Sequence, residues 1–293
     1  MALAAVAVAA VALALWIGAP GKGGAVALPS HTPDAENGGR LFIAGGCLSC
    51  HAPAAGSGFD AALPAGGTPL KSPVGSFYPP NITPDRETGI GAWSDAEFVT
   101  AMRDGVSPGG AHYFPTFPYT SFRHMTATDL IDLKAYLFTL EPVRNPSMSS
   151  EIPLEPMARA FLGPWKWIGL TERAVPEDPA RSDAWNRGAY LVQGPGHCGE
   201  CHTPRNLFMA TRPEAFLAGG PHPEGKGKVP SLRRLIERER FKDVDDLTFA
   251  LRFGEAMGYE DMSSGGMRKV QANLGRLPEE DVRAIATFLV SVE

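Results

Sequence analysis

The chain has 293 residues, of which 44% are hydrophobic and 20% are charged, and its formal net charge is −5. This length is sufficient for two domains with their own cores, since one domain typically takes roughly 100–200 residues. The acidic balance argues against nucleic-acid binding, which depends on a basic surface. With 33 Gly and 27 Pro, long irregular loops are expected between the regular elements.

The chain begins with an apolar run from Ala2 to Ala19. One interpretation is a signal peptide that is removed, because Ala25-Val26-Ala27 matches an A-x-A cleavage site. The other is an N-terminal membrane anchor formed by an apolar helix, since about 18 residues reach the lower end of the roughly 17–25 that span a bilayer. Both interpretations of residues 1–27 predict that the remainder is exported.

The chain contains the pattern C-x-x-C-H twice, as Cys47-Leu48-Ser49-Cys50-His51 and as Cys198-Gly199-Glu200-Cys201-His202. Two thiols one helical turn apart can each bond a haem vinyl group, and the histidine that follows then faces the iron. The two cysteine pairs are about 150 residues apart, whereas the pairs of a four-cysteine zinc site are separated by roughly 15–20. The pattern therefore predicts two covalently attached haem c groups, bound by Cys47, Cys50, Cys198 and Cys201, with His51 and His202 as iron ligands.

Three helices are predicted around the first motif, within residues 34–141. Asn37–Ala44 precedes the motif and directs apolar residues inward. Ser94–Asp104 has a capping box and a glycine, Gly105, at its end. Thr128–Leu140 carries leucines on one face, and Pro142 ends it. These elements predict a first helical domain with a long Gly/Pro-rich loop after His51.

Residues 142–183 are rich in proline and are interpreted as a linker. Four apolar residues in it, Phe161, Trp165, Trp167 and Ile168, have two interpretations. They pack against a domain or between the domains, or they form a contact with a membrane or a partner protein.

The second half, residues 184–293, repeats the first. Gly188–Gln193 matches Gly39–Ala44, Asp245–Gly254 matches Asp95–Gly105, and Asp281–Leu289 matches Asp129–Leu137. Two long units indicate an internal duplication and not a solenoid. The charged run at 233–246 is interpreted as a solvated helix face. The predicted fold is all-α, with two tandem haem domains and long loops.

With these motifs in place, both halves resemble class I cytochrome c domains, in which a C-terminal helix crosses the N-terminal one. The first half is similar to the cytochrome c subunits of bacterial membrane-bound alcohol, gluconate, fructose and aldehyde dehydrogenases. Its matching segments are Pro80–Asp85, Thr88–Gly91, Trp93–Asp95, Gly105–Pro108, His112 and Phe117–Tyr119, and in the second half Gly196–Cys198 and His202–Asn206 match. The best-known members carry three haem domains, whereas this chain has two.

The resemblance implies a methionine as the sixth ligand of each iron. In the second half it points to Met267, with Met262 as the alternative, and Met257 is interpreted as a packing residue. In the first half many relatives carry the ligand where this chain has Phe117, which has no donor atom. We therefore expect Met125 to be the ligand, with His124, His112 or a five-coordinate iron as alternatives.

Three further residues are assigned to the haem propionates through the resemblance. Asn81 and Trp93 are expected to donate hydrogen bonds to them, and Arg205 to pair with one through two N–H groups. The alternative interpretation is that these residues stabilise loops or form solvated charges.

The resemblance implies electron transfer from a dehydrogenase catalytic subunit to a quinone, a small cytochrome or a terminal oxidase. The location would be the periplasmic side of the cytoplasmic membrane, with the chain anchored or soluble. No nucleotide-binding glycine loop, G-x-S-x-G or H-E-x-x-H motif is present. Two alternatives remain, a di-haem peroxidase with an open first haem and a wiring subunit of a respiratory complex. A thiosulfate-oxidising cytochrome with a cysteine ligand is disfavoured because there is no fifth cysteine.

Overall fold

The computed structural model describes residues 27–72, 74–170, 175–223, 227–254 and 266–293. The predicted signal peptide or anchor therefore lies outside the described residues, except for Ala27. Within the described ranges no helix combines the length and the apolar character needed to cross a bilayer.

The first half contains the predicted helices with small differences at their ends. Helix α3 (Asp95–Asp104) begins after Ser94, whose side chain completes the predicted capping box with Glu97. It ends at Gly105, which adopts φ 59°, a left-handed conformation that favours glycine. The helices are α1 (Ala35–Ala44), α2 (Cys47–His51), α3 (Asp95–Asp104), α4 (Tyr119–Phe122) and α5 (Ala127–Leu137).

The second half repeats this order of helices. The prediction of a helix face over residues 233–246 is wrong, because residues 233–243 form turns in which Leu235 and Phe241 are buried. The apolar contacts of these two residues fix an irregular segment ahead of the next helix. The helices are α7 (Asp183–Gln193), α8 (Gly199–His202), α9 (Val244–Phe253), α10 (Gly266–Leu274) and α11 (Glu279–Leu289), with a short 3₁₀ helix at Pro213–Ala215.

In each half the first helix crosses the last at a glycine. A Cβ atom added to Gly38 of α1 would lie 2.0 Å from the Asp132 carbonyl oxygen of α5. A Cβ atom added to Gly188 of α7 would lie 1.9 Å from the Ala284 carbonyl oxygen of α11. Only glycine permits this approach, so Gly38, and not Gly39 as the sequence comparison suggested, is the counterpart of Gly188.

In each half, the two crossing helices and a third helix enclose an apolar core. The first core lies between α1, α3 and α5 and includes Leu41, Val99 and Leu130. The second lies between α7, α9 and α11 and includes Leu191, Leu247 and Val282. The amphipathic pattern of these long helices thus leads to two separate cores, which bury leucine and valine side chains with a gain of roughly 1.5–3 kcal/mol each.

The fold is mainly helical and not strictly all-α, because it contains two small antiparallel hairpins. Strands β1 (Leu70–Ser72) and β2 (Gly75–Phe77) pair Leu70 with Phe77. Strands β3 (Gly220–Pro221) and β4 (Lys228–Val229) pair Gly220 with Val229. Both hairpins lie in the long loops that follow the cysteine motifs.

The predicted linker at 142–183 contains a helix that the sequence analysis missed, α6 (Glu155–Gly169), which includes Pro164. Leu162 and Lys166 are buried, and the Trp165 indole N–H donates to the Phe208 carbonyl oxygen of the second half at 2.7 Å. In contrast, the Phe161, Trp167 and Ile168 side chains are exposed. Packing therefore accounts for Trp165, and a partner or membrane contact by the other three stays a prediction.

Candidate functional sites around the two cysteine motifs

Both cysteine pairs lie within single turns of helix, as the haem-attachment pattern requires. Gly46 adopts φ 57° and allows α2 to begin at Cys47. Cys47 and Cys198 are partly buried, whereas Cys50 and Cys201 are exposed. Burial raises the pKa of the Cys47 and Cys198 thiols to about 12, so both are protonated at neutral pH.

The two motif histidines have the same hydrogen-bond partner in both halves. His51 donates from Nδ1 to the Pro80 carbonyl oxygen at 2.7 Å, and His202 donates from Nδ1 to the Pro230 carbonyl oxygen at 2.8 Å. Since a carbonyl only accepts, Nδ1 carries the proton and Nε2 keeps its lone pair for iron. Burial lowers the pKa of both imidazoles, which favours the neutral form that binds a metal.

These observations show that the residues of both motifs fit a haem c group. The sequence analysis named Pro80 only as part of a matching segment and missed its hydrogen bond with His51, and it missed Pro230 altogether. The signal that would have found them is a proline at nearly the same distance after each motif histidine, followed by a small polar residue, Asn81 or Ser231.

The two predicted sixth ligands each precede the last helix of their own half. Met125 is 1% exposed, directly before α5, and its Cγ lies 3.5 Å from the position of a Cβ atom on Gly194 in the second half. Met267 is the second residue of α10 and is partly buried. Both ligand assignments stay predictions, and Met262 and Met257 lie outside the described residues.

The alternative ligands of the first iron have other surroundings. The Phe117 ring packs against the rings of Tyr113 and Phe122. The His112 side chain is buried, and its Nδ1 lies 2.8 Å from the Lys166 Nζ. Burial and the neighbouring Arg123 lower the pKa of His124 to about 4.

Lys166 is a buried cation that the sequence analysis did not single out. Its ammonium group donates to the carbonyl oxygens of Asp104 and Gly105, the latter at 2.9 Å, where α3 ends. Burial lowers its pKa from 10.5 to about 8. Lys166 thus attaches α6 to the end of α3 through the terminal carbonyl groups of that helix.

The residues assigned to the propionates make hydrogen bonds within the protein. Asn81 donates from Nδ2 to the Val143 carbonyl oxygen at 2.7 Å and to Thr88 Oγ1 at 3.1 Å. Arg205 donates from Nη2 to Glu200 Oε2 at 2.9 Å. Trp93 is partly buried against the first core. These geometries fit the loop-stabilising alternative for Asn81 and Arg205, and the propionate contacts stay predictions.

Comparisons with known proteins agree with this geometry. The family model for cytochrome c matches residues 35–141. A di-haem c-type cytochrome of Cereibacter sphaeroides is 40% identical over 282 residues, which cover 96% of this chain and 93% of that protein. A nicotinate dehydrogenase subunit of Pseudomonas putida is 41% identical over 261 residues, which cover 88% of this chain and 21% of that subunit.

The cytochrome subunit of a fructose dehydrogenase of Gluconobacter japonicus is 36% identical over 267 residues, 90% of this chain. The chain spans 53% of the length of that subunit. Similarity thus extends over both halves of the chain, including the second half, which the family model does not match.

Proposed function

Because the chain belongs to the family of di-haem c-type cytochromes, we propose that its halves are two tandem cytochrome c domains that relay electrons from a dehydrogenase to an acceptor. The observation that carries this proposal is the repeated histidine geometry, with one oriented imidazole after each cysteine pair. Covalently bound haem c supplies the redox chemistry, since its iron changes oxidation state.

The chain's own residues hold and tune the two sites. The Pro80 and Pro230 carbonyl groups orient the imidazoles and increase their basicity as ligands. The apolar cores exclude water from the buried face of each motif, and exclusion of water raises the sensitivity of a site to nearby charges. No side chain in this scheme forms or breaks a bond with a substrate.

The donor and the acceptor are inferred from the relatives. Cytochrome subunits of fructose, alcohol and gluconate dehydrogenases are 34–36% identical to this chain. A dehydrogenase catalytic subunit at the periplasmic side of the cytoplasmic membrane is therefore the proposed donor, and a quinone, a small cytochrome or a terminal oxidase is the proposed acceptor.

Gentle solubilisation from the native membrane followed by mass spectrometry tests this proposal. We expect an intact mass with two haem groups, together with a catalytic subunit in equal amount that carries its own redox cofactor. A chain with fewer than two haem groups contradicts the tandem-domain proposal. A di-haem chain that comes out alone contradicts the subunit role and supports a separate electron shuttle.

A second candidate function, a di-haem peroxidase, is favoured by Phe117. By the resemblance to dehydrogenase cytochrome c subunits, many relatives carry a methionine ligand where this chain has Phe117, whose side chain cannot bind iron. Addition of carbon monoxide to the fully reduced protein separates the two candidates. A protein that binds no carbon monoxide has no open iron, which rules out the peroxidase.

A further inference from the structure

The two cysteine motifs contact the opposite halves of the chain through equivalent residues. Ser49 and Glu200 each precede the second cysteine of their motif. Ser49 contacts α10 of the second half, and Glu200 contacts α4 of the first half. Since α4 and α10 both precede the last helix of their own half, the contact is reciprocal.

The contact between Glu200 and α4 is the stronger of the two. Its Oε1 accepts hydrogen bonds from Ser121 Oγ at 2.7 Å and from the hydroxyl group of Thr120. Its Oε2 accepts from Arg205 Nη2 at 2.9 Å, and the carboxylate side chain is only 11% exposed. A buried carboxylate with three donors is held in one position, because release of any donor leaves the charge poorly solvated.

Ser49 forms the matching contact on the other side. Its hydroxyl oxygen accepts from Asn273 Nδ2 at 3.0 Å, and its carbonyl oxygen accepts from Lys269 Nζ at 3.1 Å. Space is also restricted here, because a Cβ atom on Gly46 would lie 2.9 Å from Asn273 Nδ2. These contacts fix the orientation of α2 relative to the second half.

Between these two contacts the segments before the motifs meet directly. His197 Nε2 lies 3.3 Å from the Gly45 carbonyl oxygen, to which it donates. His197 directly precedes Cys198, and Gly45 lies two residues before Cys47. The Phe122 ring packs against the His197 ring with 5.7 Å between centroids. A route of covalent bonds and one hydrogen bond therefore connects Cys198 with Cys47.

We propose that Glu200 is a positioning residue that holds the two motifs together, so that electrons cross between the haem groups through the His197–Gly45 contact. One electron leaves one iron, which is oxidised, and reaches the other, which is reduced, and no proton or atom is transferred. This inference rests on the proposed function, because it requires a haem group on each motif.

The test uses the complete di-haem protein, in which a light pulse excites an added flavin that, with a sacrificial electron donor, reduces one haem, and the absorbance of the other haem is then followed. Glu200→Ala should lower the rate of intramolecular electron transfer about tenfold, because the carboxylate and the three hydrogen bonds that it accepts are lost. Glu200→Gln keeps an oxygen for the two hydroxyl groups and should recover part of the rate. Haem content should stay as in the wild type. Glu200→Ala and Glu200→Gln remove the same charge close to His202, so a difference in rate between these two variants reports the lost hydrogen bonds and not a shift in reduction potential.

Glu214→Ala is the matched control, because Glu214 lies in the same half, pairs with Arg212 and is 63% exposed. Its electron-transfer rate should equal that of the wild type. Hydrogen exchange gives a second readout, in which Glu200→Ala should accelerate exchange in α4 and α10 while Glu214→Ala should not.

If Glu200→Ala loses haem or does not fold, the paired change Thr120→Ala with Ser121→Ala removes the same contact from the other half and should lower the rate similarly. An unchanged rate in a di-haem protein with either change overturns the inference and leaves the proposed function standing. A wild-type protein with one haem overturns the proposed function first, so the two failures are distinguishable.

Discussion

Gly38→Ala is expected to destabilise the first half through one backbone contact. The added Cβ atom would lie 2.0 Å from the Asp132 carbonyl oxygen, whereas ordinary contact begins at 3.4 Å. Helices α1 and α5 would have to separate by more than about 1 Å, and overpacking of this kind costs roughly 1–3 kcal/mol. Because the obstacle is backbone, we expect about 3 kcal/mol, reduced by about 1 kcal/mol from the higher helix propensity of alanine. The net loss is about 2 kcal/mol.

The assay is urea denaturation of the haem-loaded protein, followed by circular dichroism. Gly39→Ala is the control, because it gives the same gain in helix propensity in the same helix. Its Cβ atom would lie 3.2 Å from the Tyr136 ring, which is a side chain and can move. We expect the tight contact with Tyr136 to offset most of the gain in helix propensity, so that Gly39→Ala changes the free energy of unfolding by less than about 0.5 kcal/mol. Gly188→Ala, with its clash against Ala284, should act like Gly38→Ala in the second half.

Equal stability of Gly38→Ala and Gly39→Ala would refute the close crossing of α1 and α5. A large effect of Gly38→Ala together with none of Gly188→Ala would contradict the equivalence of the two halves.

Three further predictions concern the iron ligands and Lys166. His51→Ala should remove about half of the low-spin haem absorbance, and His202→Ala the other half, while a spectrum identical to wild type would contradict the assignment. Met125→Ala should allow the reduced protein to bind carbon monoxide, and an unchanged difference spectrum would show that another group holds the first iron. Lys166 has a pKa of about 8 in the folded protein and 10.5 ordinarily, so the unfolded chain binds more protons between these values. The free energy of unfolding should therefore rise with pH in this window. In urea denaturation, Lys166→Met should be less stable than the wild type at neutral pH and should lack this rise. A Lys166→Met variant that shows the same rise would exclude Lys166 as its source.

Local chemistry allowed much of the fold to be predicted. The capping box at Ser94 and the glycine at 105 involve residues three or four apart, so the sequence contains the whole interaction. The two cysteine motifs are likewise local, because one helical turn spans them. The same reasoning could not show that Gly38 is the counterpart of Gly188, since that equivalence depends on how closely another helix approaches.

The contacts between distant segments were not predictable in this way. The propionate contact of Arg205 stays a prediction, and the sequence alone did not indicate the pairing of Arg205 with Glu200, whose other partners are 79 and 80 residues away in the chain. Helix α6 was missed because proline disfavours a helix interior, yet the buried Leu162 side chain and the hydrogen bonds from Lys166 to the end of α3 hold this helix in place despite Pro164.

The crossing of the first and last helices in each half also determines when the chain can close during synthesis. The first core requires α5, which follows the first motif by about 80 residues, so early closure is impossible for a chain that emerges from its N-terminus. Pairing of such distant segments is slow compared with the formation of local contacts. Cys47 and Cys50 thus stay accessible to covalent modification throughout this interval, and the second half provides the same interval for Cys198 and Cys201. The chain's own topology thus leaves an interval in which haem attachment can precede closure of each core.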